Sequence, residues 1–287
     1  MGVVMNWRTQ IEAAAERISP HIRKTPVERA HHLGPNVWLK CENMQVTGSF
    51  KVRGGTNALL KLNREQRKKG VVTASSGNHG LGLAHAAQQL KIPATVFVPN
   101  HASASKIKAI QQLGINVERV GDDCVETEAY ARVMATAKDQ TYISPYNDTN
   151  IVEGQGTIAH ELFHQISNLD AVFVSIGGGG LISGVGAYLK AVKPSIEVIG
   201  CSPAASPAMH ACMEAGSIID VRCRDTLSDA TAGGVEKDAI TFELCQAVVD
   251  RSLLVGEADI AAAVRSTIEH HNMLVEGAAG VAIAGFL

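Results

Sequence analysis

The sequence predicts an α/β protein with parallel, doubly wound sheets flanked by helices. Three observations carry that prediction. Between residues 71 and 201, short apolar segments alternate with longer amphipathic ones, the pattern of successive strand–helix units. The apolar segments are β-branched and show no strict polar alternation, as strands buried on both faces do. Two glycine-rich turns, at 75–80 and 177–180, each fall between such a segment and the helix after it, where open α/β sheets bind ligands.

Residues 6–19 read as a helix with Ile11, Ala14, Ala15 and Ile18 on one face, and Pro20 and Pro26 then break the chain. Residues 37–40 form a short strand. Residues 53–69 read as one helix with Ala58, Leu59 and Leu62 on its apolar side, stopped by Gly70. The alternation follows: strand 71–74 and helix 78–90, strand 94–98 and helix 103–113, strand 115–120 and helix 124–137. It continues with strand 141–143 and helix 151–166, strand 171–176 and helix 181–192, and strand 196–201. There is no internal repeat, low-complexity stretch or long linker, so two lobes, if present, are joined through the sheet.

At 287 residues the chain buries a core easily, and 46% hydrophobic with 19% charged residues is ordinary globular composition. A net charge of −2 without a basic run argues against a nucleic-acid partner. No apolar stretch is long enough to span a membrane, and the N-terminus has neither a signal-type apolar region nor a myristoylation pattern. The six cysteines are scattered without a Cys-x-x-Cys, so they read as reduced thiols of a cytoplasmic protein. The pairs His31-His32 and His270-His271 read as surface residues, since neighbours on a helix diverge and do not share a metal.

Lys51 sits between Phe50 and Val52 in the stretch Thr47-Gly48-Ser49-Phe50-Lys51-Val52-Arg53-Gly54-Gly55. An amine in an apolar, glycine-bounded turn loses hydration, which lowers its pKa and suits Schiff-base chemistry. A solvated lysine at a helix start reads equally well from this stretch alone. The turn Ser75-Ser76-Gly77-Asn78-His79-Gly80 offers hydroxyls, an amide and backbone N–H groups at a helix N-terminus, a cradle for a carboxylate or phosphate. A plain serine cap would look the same. The run Gly177, Gly178, Gly179, Gly180 removes every Cβ from its turn, so N–H groups can converge on an anion. No Lys-Ser/Thr follows and the dinucleotide pattern fits poorly, which leaves a single phosphate on a small cofactor.

Taken together, Ser49 to Gly54, Ser75 to Gly80 and Gly177 to Gly180 resemble, in order and spacing, the fold type II pyridoxal-phosphate enzymes, in the threonine/serine dehydratase and serine racemase branch. Gly154-Gln155-Gly156-Thr157 and Glu276 to Gly280 also match, and the likeness runs from about residue 8 to the end.

The resemblance implies a two-lobed α/β fold with parallel twisted sheets. Residues 1–65 and 142–287 would form the large lobe, and an inserted small lobe, 66–141, would close over pyridoxal 5′-phosphate and exclude water. Lys51 would hold the cofactor as a Schiff base and later act as base at Cα. Phe50 would pack near the ring, Asn78 would bond its phenolic oxygen, and Gly234 would pass close by. Gly177, Gly178, Gly179, Gly180 and Leu181 would bind the phosphate. Ser75, Ser76, Gly77 and His79 would line the substrate carboxylate site, with His79 supporting the turn. Ser76 is also where a second catalytic hydroxyl would act in a racemase.

Three departures bear on detail. The family's cation site carries acidic residues where this chain reads Ser202-Pro203-Ala204-Ala205-Ser206-Pro207-Ala208, so no metal is expected. Gly233-Gly234-Val235, preceded by Ser228-Asp229, stands where racemases have Asp-Gly before the Val. The family's chains continue past the position of Leu287 to a residue facing the pyridine nitrogen, so the C-terminal end is expected to be missing here.

The resulting expectation is a cytoplasmic, homodimeric or homotetrameric dehydratase. Its small-molecule substrate would be L-threonine, L-serine or a related 3-hydroxy amino acid, with a 2-oxo acid and ammonia as products. The alternatives are an amino acid racemase, a dehydratase of hydroxyectoine breakdown, a β-replacement synthase, or a cofactor-binding protein without catalysis.

Overall fold

A computed structural model describes residues 6–122 and 124–287. The chain divides into two compact units. One, here the lysine unit, takes in 13–25 and 42–155; the other, the glycine unit, takes in the described residues up to Glu12 with 26–41 and 156–287. Helix α1 (Trp7–Ile18) buries Ile11, Ala14 and Ile18, as its apolar spacing requires. Strands β1 (Val27–Arg29) and β2 (Trp38–Lys40) follow as an antiparallel pair with Val27 opposite Lys40. The pair lies outside the parallel alternation; β2 falls within the strand expected over 37–40, and β1 was not expected.

In the lysine unit, helix α2 (Lys51–Lys61) and helix α3 (Arg64–Lys69) replace the single helix expected over 53–69. The break is a capping box. The Asn63 side chain accepts from the Gln66 N–H and the Gln66 side chain accepts from the Asn63 N–H, each at 2.9 Å. Then come strand β3 (Val71–Ala74), helix α4 (Asn78–Leu90), strand β4 (Ala94–Val98) and helix α5 (Ala104–Gln111). Strand β5 (Asn116–Arg119), helix α6 (Cys124–Ala137) and strand β6 (Thr141–Tyr142) complete the sheet.

Its order is β5-β4-β3-β6, all parallel. The chain thus steps outward from β3 to β4 and β5, then returns to the other side of β3. That reversal opens a crevice at the carboxyl ends of β3 and β6, the switch point where such sheets bind ligands. Leu59, Val71, Leu83, Val96, Val98, Ile110 and Ile151 form the main core of this unit.

Helix α7 (Thr149–Gln165) meets α2 with almost no side-chain material between them. A Cβ on Gly154 would stand 2.5 Å from Gly54 Cα, and one on Gly54 would overlap the Gln155 amide. Gly54 sits inside a helix, as the helix expected over 53–69 has it.

The glycine unit holds strand β7 (Ala171–Ser175), helix α8 (Gly180–Val192), strand β8 (Glu197–Pro203), helix α9 (Ala208–Ala215) and helix α10 (Ile240–Val248). Strand β9 (Arg251–Val255), helix α11 (Glu257–His271) and helix α12 (Gly277–Phe286) finish the chain. The sheet β7-β8-β9 is parallel, and Ile199, Cys201, Val255, Ile260 and Val281 form a core beneath it. Strands β3 and β8 are buried on both faces as expected. β5 and β7, at sheet edges, are not: β5 is partly exposed and β7 alternates. Among the described residues no helix is long and apolar enough to cross a membrane.

Candidate active site

Lys51 is the first residue of α2, half-buried, with Phe50 before it. Its Nζ donates to the Pro145 carbonyl at 2.9 Å and lies 5.4 Å from the Phe50 ring centroid. Pro145 follows β6, so the amine stands at the switch crevice of its own sheet. Upstream, the hydroxyls of Thr47 and Ser49 are buried without hydrogen-bond partners. A buried, unpaired hydroxyl is costly unless something else pairs with it.

Two residues after Lys51, Arg53 is fully buried and grips Glu42 with Nε at 2.8 Å and Nη2 at 2.9 Å. Thr25 Oγ1 donates to the same carboxylate at 2.6 Å. A forked, charge-assisted contact of this kind fixes the first turn of α2 and with it the origin of the Lys51 side chain.

The Ser75–Gly77 turn leaves β3 at the same crevice. Ser75 N–H donates to Phe97 O at 3.0 Å, and Ser75 Oγ accepts from the Gly77 N–H at 3.2 Å. α4 then starts at Asn78 without a side-chain cap. The positive end of its dipole thus faces the turn, where it favours an anion. Ser76 and Asn78 are half-buried there. A Cβ on Gly82 would come within 2.8 Å of Val52 N, so α2 and α4 touch backbone to backbone and Lys51 lies beside the first turns of α4. Gly80 tightens the turn, since a Cβ there would overlap the Ser75 carbonyl oxygen. Gly80→Ala is expected to cost about 1–3 kcal/mol or more, read as a lower denaturant midpoint.

His79 is buried, its Nε2 3.0 Å from Thr73 Oγ1 and 3.3 Å from Ile143 O, while Nδ1 has no partner. Burial, with the nearby charge of Lys51, pushes its pKa down from 6.5 to about 3 against a small opposing effect of the Ile143 bond. The imidazole is therefore neutral and braces β3 against the turn. The unfolded chain takes up this proton near 6.5 and the folded chain only near 3. Stability from His79 is full above the higher value and is lost as pH falls toward the lower, at up to about 1.4 kcal/mol per pH unit. Urea unfolding across that window is expected to show this slope in the wild type and a shallower one in His79→Gln.

In the glycine unit the run 177–180 leaves β7. Gly179 has φ +85°, a left-handed conformation that suits glycine, and α8 begins at Gly180 with no side-chain cap. A Cβ on Gly177 would lie 2.9 Å from Thr231 Cα, and one on Gly179 would lie 2.8 Å from Cys245 Sγ. Thr241 Oγ1 donates to Gly178 O at 2.7 Å. The loop is thus walled by a short 3₁₀ turn, Asp229–Thr231, and by α10, with the N–H groups of Gly180 and Leu181 at the open end of a 13-residue helix. Ser228 and Thr231 lock the turn by a side-chain bond of 2.6 Å. Gly233 N–H donates to Ser206 Oγ at 3.1 Å, and a Cβ on Gly234 would meet nothing within 4 Å.

The expected residues therefore fall into two groups. Phe50, Lys51, Ser75, Ser76, Gly77, Asn78 and His79 belong to the lysine unit; Gly177 to Leu181 and Gly234 belong to the glycine unit. Sequence reasoning missed Pro145, whose contribution is a carbonyl that every residue carries. It also missed Arg53 with Glu42, and Thr231 with Thr241. Only Arg53 had a signal, by its place in the lysine motif. Among the described residues no group of three or more His, Cys, Asp or Glu side chains is arranged for a metal ion.

Residues 18–287 match the family described as pyridoxal-phosphate dependent enzyme. The chain is 36% identical over 284 residues to the L-threonine ammonia-lyase of Geobacter sulfurreducens, covering 97% of this chain and 70% of that protein. Among solved structures, maize serine racemase superposes with a TM-score of 0.93 at 32% identity, covering 98% of this chain and 86% of that one. The processed form of threonine deaminase isoform 2 from Solanum lycopersicum gives 0.93 at 33% identity, covering 97% and 77%.

Proposed function

The chain belongs to the pyridoxal-phosphate-dependent enzyme family, and from that premise we propose that it is a dehydratase. It converts L-threonine, L-serine or a related 3-hydroxy amino acid to a 2-oxo acid and ammonia. The observation that carries this reading is Lys51 Nζ held at the β3/β6 switch point beside the uncapped start of α4. The relatives named above support the reaction class.

The residues present fit the cofactor. The 177–180 loop packs so closely on Thr231 and Cys245 that Gly177 and Gly179 admit no Cβ, and it leads into a helix N-terminus without a side-chain cap, which suits a phosphate. In the segment leading to Lys51, the buried hydroxyls of Thr47 and Ser49 are left without hydrogen-bond partners by the protein alone. When bound, the cofactor supplies a carbonyl that captures an amine and a conjugated ring that accepts the electrons of a broken Cα–H bond.

The chain's own residues do the rest. Gly177, Gly178, Gly179, Gly180 and the Leu181 N–H would hold the phosphate, Asn78 would bond the phenolic oxygen, Phe50 would pack near the ring, and Gly234 would leave room for it. Ser75, Ser76 and the N–H groups of Gly77, Asn78 and His79 orient the substrate carboxylate. Lys51, as a free amine, removes the Cα proton. The same proton goes from Lys51 to the departing β-hydroxyl, which leaves as water. The resulting enamine tautomerises and hydrolyses to the 2-oxo acid and ammonia. We place the enzyme in the cytoplasm as a homodimer or homotetramer, which sedimentation of the purified protein would read directly.

The test is to purify the protein with cofactor and follow 2-oxo acid on adding L-threonine, L-serine or a bulkier 3-hydroxy amino acid. A yellow protein that forms 2-oxo acid supports the reading. A protein that stays colourless with added cofactor defeats it. A yellow protein that inverts the substrate without releasing 2-oxo acid would move the assignment to a racemase, the reading for which Ser76 is the catalytic candidate.

A further inference from the structure

We propose that a pocket formed by the β1–β2 segment and the C-terminal end of α11 binds a small, multiply charged oxyanion of the sulfate or phosphate class. The pocket uses residues that take no part in the proposed reaction. It has a volume of about 220 Å³ and is lined by Arg29, His31, His32, His270 and His271. The two histidine pairs, expected as separate surface residues, are exposed for the most part but lie together. The His32 ring stacks on His270 with centroids 4.3 Å apart and planes 17° from parallel, and it meets His271 edge-on at 5.0 Å. His32 Nε2 is 3.0 Å from Ser266 Oγ.

Every lining side chain is cationic or can become so. Glu28 and Glu269, the sequence neighbours of Arg29 and His270, do not line the pocket. Arg29 is held in place by the Pro35 carbonyl, to which Nε and Nη2 donate, and by the face of Trp38 at 5.4 Å. His271 lines the pocket, and its Nε2 is buried without a hydrogen-bond partner.

Uncharged imidazoles stack at these distances without penalty. Protonating more than one places like charges roughly 4–5 Å apart, which is unfavourable without a counter-charge. The same crowding is visible in His32, which is held below its ordinary pKa by burial and then by His270 and His271. An oxyanion among these rings offsets the repulsion and accepts from each protonated N–H. Anion binding and proton uptake are therefore linked, and each strengthens the other. A metal ion fits less well, because nearly parallel stacked rings send their lone pairs side by side and not to one point.

The test uses the holoenzyme, with the cofactor phosphate site filled, and inorganic sulfate as probe, because sulfate keeps its charge across the titration range of histidine. Ring resonances are followed by NMR at constant ionic strength, with chloride as the control salt and single His→Gln variants for assignment. The expected result is a saturable sulfate shift of His32 and His270 at about pH 6, with affinity at least ~10-fold weaker at about pH 8. His270→Gln is expected to weaken sulfate binding at least ~10-fold at the lower pH, and His32→Gln is the second variant should the first fold poorly. No saturable shift at the lower pH, an equal shift with chloride, or unchanged affinity in both variants would overturn the proposal.

Discussion

Lys51→Ala is expected to give a folded, colourless protein whose rate of 2-oxo acid formation is at least ~10³-fold below wild type. The amine is proposed both to anchor the cofactor and to move the Cα proton, so its loss removes two functions together. The fold should survive. Lys51 is the first residue of α2 and only half-buried, and alanine is a good helix former. Lys51→Arg separates charge from chemistry: a guanidinium can still donate to the Pro145 carbonyl but does not form a Schiff base. Both variants should therefore lack the visible absorbance, while their denaturant midpoints stay near wild type. A yellow, active Lys51→Ala protein would remove the basis of the assignment.

Arg53→Met is expected to destabilise the protein by about 3–5 kcal/mol. Arg53 is completely buried and its Glu42 partner is 15% exposed, so removing the guanidinium strands a carboxylate with little water around it. The Thr25 hydroxyl still donates to that carboxylate, but a neutral donor does not replace a charge. The double variant Glu42→Gln with Arg53→Met should recover much of the loss, because it removes the unpaired charge as well. Equilibrium unfolding in urea measures both. Equal losses in the single and double variants would show that packing, not charge, dominates at this site.

Most of the strand–helix alternation was legible because period and composition agree. Helix α4 and strands β3 and β4 lie where Val71 to Val98 put them. The break between α2 and α3 was written as Asn63-x-x-Gln66, yet the apolar spacing running through Leu62 masked it. Strand β1, its antiparallel pairing with β2 and the helices after residue 203 were not read. For the site, the motifs identified Lys51, the serine turn and the glycine run as chemical groups. They could not show that a Pro145 carbonyl receives the amine, because a carbonyl has no residue-type signature. Adjacency in sequence also misled. It argued against a metal shared within either histidine pair and was silent on His32 meeting His270.

The approach of α2 to α7 has a consequence for how this sequence can change over time. Gly54 and Gly154 are two positions but one contact, with Gln155 folded over it. A first step at either position meets backbone, and a compensating second step is unavailable because the partner already has no side chain to give up. Drift here would have to proceed by moving a helix, and α2 begins with Lys51. The two glycines should therefore be among the slowest positions of the chain to vary, though neither is expected to touch a ligand.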